Sequence, residues 1–297
     1  MTHPGVEVIR AFLGDSGVTT GTIGEQREAM ADLARSSPPP EGVAIESVML
    51  EGRRGEWLTP ASVTPDAVVL YLHGGGYCTG SLDSHRNLAG RLAIAAGCTV
   101  VTLDYRLAPE HPFPAAVNDA TGAYGDLLAL GIPPERTAIA GDSAGGGLTV
   151  ASLLALRAAG SPLPAAVVCL SPWVDLTQSS AAYERLAATD PMVTKAGLDL
   201  MAQTYVGAAD PRAELASPLF ADDLSGLPPL FIEVGAHEVL VDDAIRLAER
   251  VGAAGGEATL TVWPEMIHVF QAFPGPLIPE SDQSIAAVGS FLADHLR

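Results

Sequence analysis

The stretch Gly141-Asp142-Ser143-Ala144-Gly145 lies between the apolar run Thr137 to Ala140 and a helical pattern that starts at Gly146. The run predicts a short buried strand, so the five residues form a strand-to-helix turn. A serine at the centre of such a turn sits on a sharp, strained bend, where only very small residues fit two positions before and after it. Ser143 is therefore a candidate nucleophile. A serine that caps a helix beside glycines would give the same pattern, so this turn alone does not show that Ser143 is a nucleophile.

Strands and helices alternate along the rest of the chain. Eight strands are predicted: Val43 to Leu50, Glu56 to Thr59, Val68 to Leu72, Thr99 to Leu103, Thr137 to Ala140, Val167 to Leu170, Leu230 to Val234 and Ala258 to Val262. Helices are predicted at Gly24 to Arg35, Ser84 to Ala96, Ala115 to Leu130, Gly146 to Ala159, Val241 to Val251 and Ser284 to Leu296. This alternation predicts a single α/β domain over residues 1–297, with a mainly parallel sheet of about eight strands and helices on both faces.

One segment interrupts this alternation. About sixty residues separate Leu170 from Leu230, far more than the usual connection between two parallel strands. A helix is predicted inside this segment at Leu198 to Tyr205. We expect residues 1–40 and roughly 175–225 to form a cap, with the part from Asp190 to Pro211 and the helix Gly24 to Arg35 above an acyl site. An enclosed site of this kind favours short acyl chains over long triglycerides.

A second motif, His73-Gly74-Gly75-Gly76-Tyr77, follows the strand Val68 to Leu72 directly. A carbonyl attacked by Ser143 becomes an oxyanion, which needs N–H donors aimed at it, and glycines leave their N–H groups unshielded. Gly74, Gly75 and Ala144 are the predicted donors. The alternative is a flexible glycine turn. The glycine motif precedes the serine turn, which is the order that such a site requires, and this order favours the oxyanion function. His73 is predicted to be structural rather than a base.

The base should follow the last strand, Ala258 to Val262, and the loop after that strand contains His268. Among the seven histidines, only His268 fits the order of nucleophile, acid and then histidine. The alternative is a histidine that merely packs in its loop. His268 is therefore the predicted general base.

The acid should follow the preceding strand, Leu230 to Val234, whose loop contains Glu238 about thirty residues before His268. Asp242 and Asp243 are expected to open the next helix, where negative charge is favoured. Glu233 lies within the strand and is expected to point into a helix layer. The side chain of Asp142 leaves the serine turn in another direction. Glu238 is the predicted acid.

Composition narrows the classes of partner. Lys+Arg 16 against Asp+Glu 35 gives a net charge of 16 − 35 = −19, which repels nucleic acid, anionic membrane surfaces and anionic substrates. This charge also serves solubility. A small neutral ester is the expected substrate, with no nucleic acid and no membrane insertion, and a homodimer is left open. Lys195 is the only lysine and does not stand in a Gly-Lys-Ser/Thr run, which removes a phosphate-binding P-loop.

Cys78, Cys98 and Cys169 are odd in number and widely spaced, so we expect neither a disulfide framework nor a metal site. No metal or cofactor is expected. The first ten residues lack the basic and apolar regions of a signal peptide, and the apolar stretches are too short to span a bilayer. A cytoplasmic location is therefore expected.

Taken together, these motifs resemble the hormone-sensitive-lipase-like family of bacterial carboxylesterases, within the α/β-hydrolase fold. The resemblance covers nearly the whole chain and includes Asp104-Tyr105-Arg106-Leu107-Ala108-Pro109-Glu110 and Ser171-Pro172-Trp173. It implies a cap and activity on short to medium acyl esters. The family's acid is most often an Asp that begins an Asp-Pro-Leu run, and the matching loop here offers His237 and Glu238 instead.

The resulting interpretation is a serine carboxylesterase with a Ser143–His268–Glu238 triad and an acyl-enzyme intermediate. Two alternatives remain. The same groups could attack a lactone or an amide. A small-molecule receptor on a disabled hydrolase scaffold is a second alternative, but receptors that resemble this family have lost the histidine that is present here as His268.

Overall fold

The computed structural model describes residues 3–16, 19, 21–61, 63, 66–273 and 275–297. Within these ranges, eight strands form one sheet: β1 Val43–Leu50, β2 Arg53–Pro60, β3 Val68–Leu72, β4 Thr99–Leu103, β5 Thr137–Asp142, β6 Ala166–Leu170, β7 Leu230–Gly235 and β8 Ala258–Trp263. Their order across the sheet is β1-β2-β4-β3-β5-β6-β7-β8. β2 pairs antiparallel with β1 and β4, and every other pair is parallel. The predicted α/β class and mainly parallel sheet are confirmed.

The described helices follow the predicted alternation, with additions. They are α1 Pro4–Ser16, α2 Ile23–Arg35, α3 Leu82–Ala96, α4 Ala115–Ala129, α5 Ala144–Ala158, α6 Ala182–Arg185, α7 Lys195–Val206, α8 Val241–Ala253 and α9 Pro279–His295. The sequence-based prediction missed α1, although Val6, Ile9 and Leu13 recur at helical spacing and are all buried. It also began the last helix at Ser284, whereas α9 begins at Pro279. Proline is well suited to the first turn of a helix, so Pro279 was an available signal for the earlier start.

The sheet is buried on both faces because alternate residues of each parallel strand point to opposite sides. Along β3, Val68, Leu70 and Leu72 join the core shared with α4, α5 and α8. Val69 and Tyr71 join the core shared with α3 and α9. This two-sided burial explains why β3 to β7 consist of nearly continuous apolar residues.

Three regions lie together above the carboxyl ends of the parallel strands: α1, α2 and the long segment between β6 and β7. We call α1, α2 and residues 175–225 the roof. Residues 1, 2, 17, 18 and 20 of the predicted 1–40 cap segment lie outside the described residues. Within the described ranges, no helix is long and apolar enough to cross a membrane. The three cysteines are buried and free.

Candidate active site

Ser143 sits at the junction of β5 and α5 with a backbone φ of 53° and ψ of −122°, a conformation that serine rarely adopts. The neighbouring backbone explains the glycines on either side. A Cβ at Gly141 would lie 2.4 Å from the carbonyl oxygen of Gly145, and one at Gly145 would lie 1.9 Å from that of Leu72. The turn is therefore as tight as the sequence predicted, and it turns the Ser143 side chain toward the roof.

The structure brings Ser143, His268 and Glu238 together in one hydrogen-bonded chain. Nε2 of His268 lies 2.9 Å from Oγ of Ser143, and Nδ1 lies 2.5 Å from Oε2 of Glu238. The carboxylate can only accept, so Nδ1 carries the proton that it donates to Glu238. Nε2 is then left to accept the hydroxyl proton of Ser143. All three side chains are buried, and they come from the loops after β5, β7 and β8.

The other oxygen of Glu238 is also fully engaged. Oε1 accepts hydrogen bonds from the hydroxyl of Ser171 at 2.8 Å and from the N–H of Gly235 at 2.6 Å. The Ser171 hydroxyl in turn accepts from the N–H of Val269, beside His268, at 3.1 Å. Sequence reasoning quoted Ser171 only within a motif. Its position at the end of β6, next to β7, was the available signal for a role in holding the acid.

The surroundings of His268 favour its protonated form. Burial lowers the pKa of this imidazole, but the charge and hydrogen bond of Glu238, with the charges of Asp190 and Asp142, outweigh burial. The net result is a His268 pKa above its ordinary value. An imidazole in this setting accepts a proton readily, as a general base must.

Asp242 and Asp243 lie in the first turn of α8, as expected, but their work extends beyond opening a helix. Asp243 is completely buried and accepts hydrogen bonds from the N–H groups of Val174 and Asp175 and from the hydroxyl of Tyr183. Burial, with the nearby charge of Asp175, raises the pKa of Asp243 to about 8. The partners of Asp243 lie at and beyond the end of β6, because this part of the chain folds back over α8. That long-range contact is invisible in the local sequence.

The glycine loop departs from its prediction at one position. The N–H of Gly74 donates to Oδ1 of Asp142 at 3.1 Å and also lies 3.3 Å from Nε2 of His85. It is therefore occupied, and the prediction that Gly74 supplies an oxyanion donor is wrong. Asp142 does leave the serine turn in another direction, and there it also accepts from the hydroxyl of Tyr71 at 2.7 Å. No local pattern predicts that this carboxylate captures Gly74.

Gly75 and Gly76 line the cavity beside Ser143 and His268. Among the described residues, no hydrogen bond occupies the N–H of Gly75, Gly76 or Ala144. Gly75 and Gly76 have φ values of +117° and +60°, a region that favours glycine. A Cβ at Gly76 would lie 2.0 Å from the sulfur of Met201, so the roof packs directly on this loop. The donor set that the structure favours is Gly75, Gly76 and Ala144.

Two further predictions about polar side chains agree with the structure. His73 is buried, its Nδ1–H donates to the carbonyl of Gly74 at 2.7 Å, and its ring stacks on Tyr105 with centroids 4.2 Å apart. Burial lowers the pKa of His73 to about 3, which suits a structural histidine. Glu233 points into the helix layer, where it meets Ser284 of α9 and Gln271 in the loop before α9.

A cavity of about 520 Å³ extends from Ser143 under the roof. Its walls are mainly apolar side chains from α1, α2 and the segment between β6 and β7, among them Ile9, Met30, Val193, Leu198 and Met201. Such a cavity suits an uncharged ligand with an apolar portion. Within the described ranges, no group of three or more His, Cys, Asp or Glu side chains is arranged to hold a metal ion.

Comparison with known proteins agrees with this geometry. A family model described as alpha/beta hydrolase fold matches residues 69–272. An acetyl-hydrolase of Streptomyces hygroscopicus is 45% identical over 98% of this chain and 97% of its own length. A putative acetyl-hydrolase of Mycobacterium tuberculosis, LipR, is 35% identical over 92% of this chain and 88% of its own length.

Solved structures superpose closely on this one. An esterase from the bacterial hormone-sensitive lipase family is 45% identical, with a TM-score of 0.96 over 100% of both chains. A hormone-sensitive lipase from a metagenome library is 39% identical, with a TM-score of 0.94 over 100% of both chains.

Proposed function

This chain belongs to the hormone-sensitive-lipase-like family of α/β-hydrolases and is a carboxylic ester hydrolase, and from that premise we propose that it cleaves short to medium acyl esters with a Ser143–His268–Glu238 triad. The observation that carries the proposal is the hydrogen-bonded chain from Ser143 through His268 to Glu238 at the floor of an apolar cavity. A nucleophile, a base and an orienting acid in contact are what acyl transfer requires.

In the first half-reaction, His268 takes the hydroxyl proton while Oγ of Ser143 attacks the ester carbonyl. The carbonyl oxygen becomes an oxyanion, which the N–H groups of Gly75, Gly76 and Ala144 stabilise. His268 then returns the proton to the departing alcohol, which leaves an acyl group on Ser143. Glu238 holds the tautomer of His268 and stabilises its imidazolium form throughout.

In the second half-reaction, water replaces the alcohol. His268 removes a proton from the water as its oxygen attacks the acyl carbon, and the same three N–H groups stabilise the second oxyanion. The bond to Ser143 then breaks, Oγ recovers the proton from His268, and the carboxylic acid is released.

The cavity supports a small, neutral ester as substrate. Its apolar walls suit an acyl chain, and the net charge of −19 disfavours anionic substrates. The roof, acting as a cap, limits the length of chain that fits. The acetyl-hydrolase names of two relatives also support short acyl groups. A cytoplasmic location stays a prediction.

A panel of p-nitrophenyl esters from acetate to palmitate, with a simple lactone and an anilide beside it, tests the proposal. We expect the highest kcat/KM among the short and medium acyl esters. Higher activity on palmitate, or on long-chain triglyceride emulsions, than on butyrate would contradict the proposed acyl preference. If kcat/KM on the lactone or the anilide exceeds that on every ester, the preferred substrate is a lactone or an amide rather than a simple ester.

A further inference from the structure

Asp190 lies in the roof, yet its side chain is tied to the loop that carries Glu238. Oδ2 of Asp190 accepts a hydrogen bond from the N–H of Val239, the residue after Glu238, at 3.0 Å. Oδ1 accepts from the N–H groups of Met192 and Val193, each at 2.9 Å. Met192 and Val193 both line the cavity. One carboxylate therefore joins the cavity wall to the acid loop.

These contacts identify the side chain of Asp190 as a charged acceptor. It is 5% exposed, and all three of its backbone partners are donors. No arginine or lysine in the described ranges forms an ion pair with it, so these N–H groups replace the water that the charge has lost. The pKa of Asp190 is raised, because burial and the nearby charge of Glu238 outweigh the lowering by His268 and by these hydrogen bonds.

We propose that Asp190 is a positioning residue that fixes the Glu238 loop against the cavity wall and keeps a second negative charge near His268. The proposal rests on the proposed triad. A buried carboxylate stabilises the imidazolium that forms whenever Ser143 is acylated or released. Because the same carboxylate holds Met192 and Val193, the wall that contacts the substrate and the loop that holds the acid move as one unit.

The charged groups that face His268 are Glu238, Asp190 and Asp142, and each of them raises its pKa. Glu238 contacts the imidazole directly, whereas Asp142 is engaged with Tyr71, Gly74 and His85. Neutralising Asp190 should therefore lower the pKa of His268 and leave the other two charges in place. This change is one that a purely structural defect would not produce.

The test is Asp190→Asn. An asparagine of the same shape has one acceptor oxygen, so either Val239 or the pair Met192 and Val193 must face an amide N–H instead of an acceptor. On p-nitrophenyl butyrate we expect kcat to fall roughly 10-fold to 100-fold because the acid is misplaced, and KM to change by a smaller factor through the loosened wall at Met192 and Val193. The acid limb of kcat/KM should move to lower pH.

Asp175→Asn is the matched control. Asp175 is another buried carboxylate in the roof and accepts backbone N–H groups from Thr177 and Ser179, but it pairs with Arg246 rather than facing His268. It should lose stability without moving the acid limb. If Asp190→Asn and Asp175→Asn have the same kcat and acid limb as the wild type, or change them alike, Asp190 is only structural.

Asp190→Glu covers the case in which Asp190→Asn does not fold. It keeps the charge but lengthens the arm, so kcat should fall while the acid limb stays at the wild-type pH, and an unchanged kcat would overturn the proposal. Failure of the triad itself has a different signature: wild-type activity would survive in Ser143→Ala. The two ideas can therefore fail separately.

Discussion

The rim of the proposed active site and the roof are built in different ways. The rim consists of the loops after β3, β5, β7 and β8, and its polar groups contact one another over short distances from fixed strand ends. The cavity-facing side of the roof is mainly apolar, and many apolar residues of the segment between β6 and β7 join the main core. Charged side chains attach the roof at further points. Arg27 of α2 donates to the carbonyls of Cys78 and Ala108 and pairs with Glu110.

This difference indicates how each region should respond to substitution. In the proposed mechanism, a change in the rim removes a group that reacts or orients a reacting group, so it should lower kcat by a large factor. A change in the roof shifts a wall or loosens an anchor, so its effect should appear mainly in KM and stability. Asp190 is the exception that belongs to both regions. The following predictions test this contrast, beginning with the largest effect.

Ser143→Ala should reduce kcat on p-nitrophenyl butyrate by about 10⁶-fold, because the acyl-enzyme cannot form. The fold should survive, since the change removes one oxygen from a turn that is set by its glycines. A steady-state assay of the purified variant measures the loss of kcat, and circular dichroism checks that the variant is folded. Turnover near that of the wild type would break the assignment of the nucleophile and with it the contrast.

Glu238→Gln should cost about 10⁴-fold in kcat, because an amide facing Nδ1 of His268 no longer fixes the required tautomer. Asp242→Asn is the matched control from the next turn of chain. Asp242 pairs with Arg185 and accepts the N–H of Ala182, so its loss should change stability by about 0.3–1 kcal/mol and leave kcat nearly unchanged. A crippled Asp242→Asn beside a healthy Glu238→Gln would reverse the assignment of the acid.

The pH profile of the wild type gives the next effect. The base must be neutral, and its neutral fraction falls as pH drops through the pKa of folded His268. That pKa is raised, since Glu238, Asp190 and Asp142 outweigh the lowering by burial, so activity should begin to fall at a higher pH than the ordinary imidazole value of about 6.5 implies. Below it, kcat/KM should drop about tenfold per pH unit. A flat profile in folded protein would rule out a histidine base.

Arg27→Met should have the smallest effect, because the change removes an anchor of α2 and leaves the reacting and orienting groups of the rim in place. The Arg27–Glu110 pair is partly exposed and worth roughly 1 kcal/mol, so loosening α2 should raise KM for butyrate about threefold to tenfold with kcat kept. Arg35→Met on the same helix is the control, since among the described residues Arg35 pairs only with exposed Asp32. A 10²-fold loss of kcat in Arg27→Met would contradict the contrast, because a change in the roof would then affect the rate as a change in the rim does.

The local sequence predicted the positions of most residues of the rim. The turn around Ser143, the glycine loop, His268 after the last strand and Glu238 after the one before it were all placed from residue order, because in a parallel sheet the carboxyl ends of neighbouring strands lie at one edge. The wrong prediction for Gly74 shows the limit of such sequence-based reasoning. Which N–H of a glycine loop stays free depends on Asp142, and these two residues are 68 positions apart in the sequence.

The sequence by itself determined the α/β fold, the order of its elements and the loops that carry Ser143, Glu238 and His268, since strand burial and tight turns impose local patterns. Only the tertiary structure decided that Ser171 holds the carboxylate of Glu238, that Asp243 anchors the segment after β6 and that Asp190 joins the cavity wall to the Glu238 loop. Each of these contacts pairs a side chain with groups about 50 to 70 residues away. No periodicity records such a pair, because the partners are backbone N–H groups or carboxylates that become neighbours only when β6 pairs with β7 and the roof folds over the sheet.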